Sequence, residues 1–188
     1  MRAFAVSQPL PIALGVILLL VFTSLVVLLQ REQGNAQPVQ GQPVANIKCD
    51  QGEQTGVHYH AHLDLLYRGT PVPVPALIGI PNQGQCFYWL HSHDTTGVIH
   101  VEAPSSESKR TFTLGEFFQI WKQPLNSKRV ASLDVGKGEL LKMWVDGKPY
   151  TGDPTKIPVR SHGQIVLEIG PEFQDPPPTY TWGPDLPK

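Results

Sequence analysis

At 188 residues the chain is long enough for one ordinary domain with extensions and too short for two full ones. Its 15 Lys+Arg nearly cancel its 16 Asp+Glu, and charged residues are only 16% of the total, so no net field draws nucleic acid, and no recognition motif for it is found. The 17 Gly and 19 Pro argue against a helix bundle and for a β-rich chain with many turns.

Residues 1–9 form a short amino end, taken as cytoplasmic. Residues 10–29 follow as twenty positions without a charge, fifteen of them Leu, Ile, Val or Phe. As a helix they span roughly 30 Å, the thickness of a bilayer's hydrocarbon core. The expectation is an uncleaved single-pass anchor, which makes the membrane a partner. Gly34-Asn35-Ala36 leaves a cleavable signal peptide as the alternative. Either way the rest of the chain is exported, and Arg2 with the terminal amine weakly favours an extracytoplasmic carboxyl end.

Residues 30–46 carry five Gln and few apolar residues, so they are expected to form a flexible stalk. The domain is expected over residues 47–170. Its two cysteines, Cys49 and Cys86, lie beyond the anchor in an oxidising compartment, where a disulfide is favoured over free thiol ligands.

Within the domain VHYHAHLDLLY, PVPVPALIGI, CFYWLHSH, GVIHVEA, ELLKMWVDGKPY and QIVLEIG read as strands. Asp146-Gly147 marks a tight hairpin turn. One short helix is signalled by a capping box, with Thr113 as cap and Glu116 reaching back; Phe112 and Phe117 form its hydrophobic staple and Pro124 ends it. Together these patterns predict a mainly β fold: a single antiparallel β-sandwich or barrel-like domain with one short α-helix. Residues 171–188 are Pro-rich and expected to run extended, laid on the domain by Phe173, Tyr180 and Trp182.

The chemistry lies in the histidines. Six of the seven, His58, His60, His62, His91, His93 and His100, fall within residues 58–100. In an extended VHYHAHLDLL, His58, His60, His62 and Asp64 share one face, while Tyr59, Ala61, Leu63 and Leu65 point to the core. In HSHDTTGVIHVE a strand, an Asp94-Thr95-Thr96-Gly97 turn and a second strand set His91 opposite His100 and His93 opposite Val98. Three imidazoles then share one face, which suits a transition metal. Asp64, Asp94 and Glu102 are candidate carboxylate ligands, acceptors for ring N–H groups, or plain solvated charges. His162 is a further candidate ligand.

Imidazole donors suit copper or zinc, and with only Met1 and Met143 present a Met-rich copper(I) carrier is disfavoured. Metal binding, a zinc- or copper-dependent metalloenzyme acting on a small substrate, and a metal-free pH-responsive module all remain open. For the enzyme, Glu102, Asp94 and Thr96 are the nearest acid or base candidates.

His60-Ala61-His62-Leu63-Asp64 loosely resembles the first half of a cupin metal motif, but the glycine framing and the later histidine with Asn that a cupin needs are missing. A blue-copper domain would need Cys, His and usually Met close together near its carboxyl end, and no Met closely follows Cys86 and His91, while Cys86 has a disulfide partner available. The strings HYHAHLDLL, PVPVPALIGI, YWLHSHDTTGVIHVE, FTLGEFFQIW and VDGKPY resemble a family of exported or membrane-anchored, His-rich bacterial proteins with no assigned activity. That resemblance implies one domain and supplies no mechanism.

Overall fold

The computed structural model describes residues 41–81, 84–173, 175–184 and 186. The expected anchor at 10–29 and most of the expected stalk lie outside the described residues.

Among the described residues there are thirteen strands: β1 (Gly41–Val44), β2 (Ile47–Asp50), β3 (Val57–Tyr67), β4 (Thr70–Val72), β5 (Phe87–Tyr88), β6 (Leu90–His91), β7 (Val98–Ala103), β8 (Leu125–Asn126), β9 (Arg129–Val130), β10 (Leu133–Asp134), β11 (Leu140–Val145), β12 (Lys148–Pro149) and β13 (Gln164–Gly170). The described fold is mainly β, with three sheets and one α-helix. The large sheet runs β12-β11-β13-β3-β7-β6, with β4 also on β3; β1-β2-β5 and β8-β9-β10 form the two small sheets.

The helix α1 (Leu114–Trp121) begins as its sequence dictates. Thr113 Oγ1 accepts the Glu116 N–H, and the Thr113 N–H donates to Glu116 Oε2 at 2.7 Å, closing the capping box. Phe112 and Phe117 on either side of the cap are fully buried. The apolar positions of β3, Ala61, Leu63 and Leu65, join Phe112, Leu114, Phe117, Phe118, Ile165 and Leu167 in one core. The core therefore lies on one face of the large sheet, under α1, and the histidines of β3 are left on the other.

Several elements depart from the sequence expectation. The large sheet is mixed, not antiparallel: β13 runs parallel to β3, pairing Gln164 with His62 through Ile169 with Tyr67. Alternation sets which face a side chain takes and says nothing of which distant strand lies alongside. PVPVPALIGI is a strand only over its first residues; Pro73 and Pro75 offer no N–H to a ladder, and Leu77 (φ 60°) and Gly79 (φ 75°) turn the chain. The short strands β8, β9 and β10 carried no legible alternation.

The expected stalk is also too long by several residues, because β1 pairs with β2 (Gly41 to Cys49, Val44 to Ile47). Gly41 lies so close to the disulfide that a Cβ there would come within 2.8 Å of Cys49 Cβ. Cys49 and Cys86 are bonded as expected. Asp146 (φ 51°) and Gly147 (φ 71°) make the two-residue turn joining β11 to β12.

The carboxyl-terminal segment lies on the outer face of the large sheet. Phe173 packs on Leu66, Trp144 and Val166. Tyr180 stacks on His62 with ring centroids 3.8 Å apart, and Trp182 stacks on His162 at 4.3 Å.

Candidate metal centre

Three strands present one lateral row. His60 of β3 is paired with His100 of β7, and His100 with His91 of β6. One step along, His58 is paired with Glu102. The expected opposition of His91 and His100 is therefore present. The ladder stops there, since Ser92 leaves the strand and its Oγ donates to the Pro75 carbonyl at 3.0 Å. His93 is not paired with Val98 as expected; it folds back over the row, its ring centroid 4.4 Å from His100 and 4.8 Å from His91.

Two overlapping groups result, His58-His60-His100-Glu102 and His91-His93-His100-Glu102, and within each the ligand atoms lie within 4.8 Å of one another. Glu102 sits between them. Its Oε1 is 3.4 Å from His58 Nε2 and 3.4 Å from His100 Nδ1, and its Oε2 is 4.0 Å from His91 Nε2. His60 and His91 are buried, while the side chains of His58 and His93 are each 40% exposed and give the centre its opening to solvent.

The protonation pattern fits ligands. His91 Nδ1 donates to the Tyr88 carbonyl at 2.8 Å, so in the neutral ring Nε2 is the unprotonated nitrogen, and it faces His93 Nε2 at 3.2 Å. Burial pushes the His91 pKa down to about 4, and the neighbouring His100 and His93 add to the fall against the opposing pull of the Tyr88 carbonyl and Glu102. The ring is neutral at pH 7 and free to bind a cation. Burial alone would raise the Glu102 pKa, but the imidazoles of His100, His91 and His58 outweigh it and hold the carboxyl below its usual value. His100 Nδ1 is buried without a hydrogen bond; its 3.4 Å contact with Glu102 is electrostatic and poorly aligned. A buried nitrogen and a carboxylate oxygen facing the same small space form a donor set for a cation.

Glu53 was missing from the sequence-derived set. Its Oε1 lies 3.2 Å from His93 Nε2 and 3.9 Å from His91 Nε2. The residue sits in the loop after β2, where Trp89 Nε1 donates to Asp50 Oδ2 at 2.7 Å and the Cys49–Cys86 bridge ties β2 to the segment before β5. No periodicity marks a loop carboxylate, so only the tertiary contact reveals it.

Four sequence candidates lie elsewhere. His62 continues the β3 row, but its Nε2 donates to the Thr96 carbonyl at 2.7 Å and Tyr180 covers its ring. Asp64 lies beside His62, Oδ2 to Nδ1 at 3.3 Å, on the side away from the cluster. Asp94 is a turn residue whose Oδ1 accepts from the N–H and hydroxyl of Thr96, which lowers its pKa. His162 takes a left-handed backbone (φ 52°), donates its N–H to the His60 carbonyl at 2.7 Å, and stacks under Trp182. None of these four belongs to either ligand group.

A cleft of about 430 Å³ adjoins the centre, lined by Leu77, Ile80, Gly84 and Phe87 with Glu53 and His93 on one wall. Among the described residues no helix is long and apolar enough to cross a membrane. No family model, curated protein or solved structure matches the chain.

Proposed function

We propose that this is a membrane-anchored, extracytoplasmic protein whose outer sheet face binds a transition metal, copper or zinc. One observation carries the metal reading: three laterally paired strands and one turn bring His58, His60, His91, His93 and His100 around the carboxylate of Glu102. Five imidazoles and a carboxylate are a nitrogen-rich, borderline donor set, for which copper(II) and zinc outcompete the hard cations. Both cysteines are in a disulfide and Met143 is buried in the core, so among the described residues no sulfur donor competes. The disulfide and the apolar run at 10–29 support the extracytoplasmic placement.

A metalloenzyme is the second reading, favoured by the cleft beside Glu53 and His93, which leaves room for a small substrate next to a metal-bound water.

The deciding experiment is elemental analysis of the untagged full chain, expressed through an export pathway and purified without chelator. Stoichiometric copper or zinc is expected, with His91→Ala abolishing most of it. Protein that arrives metal-free and fails to take up added copper(II) or zinc would overturn the proposal.

A further inference from the structure

We propose that the centre holds two metal ions at once, bridged by Glu102, with Glu53 as the fourth donor of the ion held by His91 and His93. This rests on the metal-binding reading above and adds a count and a division of ligands.

A four-coordinate ion with bonds of about 2.0–2.1 Å has its ligand atoms about 3.4 Å apart. Around His91 Nε2 the structure places His93 Nε2 at 3.2 Å, Glu53 Oε1 at 3.9 Å and Glu102 Oε2 at 4.0 Å, and Glu53 Oε1 is 3.2 Å from His93 Nε2. Three of these atoms, on His91, His93 and Glu53, lie within 3.9 Å of one another, and Glu102 Oε2 offers the fourth donor beside His91. On the other side of the same carboxylate, Oε1 is 3.4 Å from both His58 Nε2 and His100 Nδ1. The His60 ring adjoins both, with centroids 5.0 Å from His58 and 4.6 Å from His100. That is a second set of four donors.

The division follows from Glu102 turning a different oxygen to each set. His100 is within reach of either ion, and its buried Nδ1 facing Oε1 assigns it to the His58 side. With Glu53 counted, each ion has four donors and no imidazole is shared. A single four-coordinate ion would leave three of these seven groups outside its coordination sphere. A bridging carboxylate holds two cations about 3.5–4 Å apart and screens their repulsion, and Glu53 adds a second negative charge beside His93.

The test is equilibrium dialysis of the full 188-residue chain against buffered zinc, with zinc per chain read by mass spectrometry. Two zinc per chain are expected. The double variant Glu53→Gln/His93→Asn and the double variant His58→Gln/His60→Asn should each retain one, and that retained ion itself shows that the cluster still folds. With copper(II), the wild type should show the half-field resonance of a spin-coupled pair, and each double variant the spectrum of an isolated ion. One zinc per chain in the wild type would overturn the two-ion proposal while leaving the metal reading intact. No zinc and no copper would overturn both.

Discussion

Glu53 Oε1 lies 3.2 Å from His93 Nε2, joining a loop held by the Cys49–Cys86 bridge to the turn that follows β6. The disulfide and the candidate metal centre are thus mechanically linked, although the chain separates Cys49 from Cys86 by 37 residues.

Removing the bridge should therefore act on both stability and binding. In the chain-entropy model a loop of this length contributes about 4 kcal/mol. Cys49→Ser/Cys86→Ser is expected to lower unfolding free energy by about that amount in denaturant titrations of the apo-protein. It should also weaken zinc binding more than Glu116→Ala does. Equal zinc affinities in the two variants would sever the link.

Glu116→Ala separates fold from site. It removes half of the capping box and should cost about 1 kcal/mol in thermal or chemical unfolding. Metal content per folded chain should not change, because α1 packs on the opposite face of the sheet.

Acidification should destabilise the apo-protein through His91. Its folded pKa, about 4, lies below the ordinary value of 6.5, so the unfolded chain binds the proton more readily. The stability associated with the neutral ring is fully present above about pH 6.5 and is lost as pH falls towards 4. The full effect is about 3 kcal/mol, and His91→Gln should flatten that part of the stability–pH curve. An unchanged slope in the variant would assign the acid sensitivity to other groups.

The stacked tail predicts a stability effect without a metal effect. Tyr180→Ala uncovers His62 and should cost about 1 kcal/mol. Copper or zinc uptake should persist, and should persist equally in His62→Gln, since neither residue is in a ligand group. Loss of metal from folded His62→Gln would return that residue to the centre.

Much of this protein is determined by the sequence alone. The i, i+2 alternation of VHYHAHLDLLY places its histidines on one face and Ala61, Leu63 and Leu65 on the other, because a strand's side chains have a period of two. The capping box, the Asp146-Gly147 turn, the disulfide and the aromatic contacts of the tail are likewise local or compositional signals, and each appears in the structure. The opposition of His91 and His100 is legible too, although the ladder ends at that pair and the tight turn expected to pair His93 with Val98 is not formed.

Only the tertiary structure decides the rest. Alternation gives a face but no neighbour, so nothing in the sequence places β7 beside β3 and thereby His60 beside His100, or β13 parallel on the other edge. That pairing divides an apparently uniform histidine row: His58 and His60 enter the cluster, whereas His62, two residues on, falls against Thr96 and under Tyr180. Glu53 enters through a loop with no periodicity to read, carried there by contacts between residues distant in the chain. Strand identity is local, because it rests on side-chain alternation. The coordination set is non-local, because it depends on which strands the core brings together.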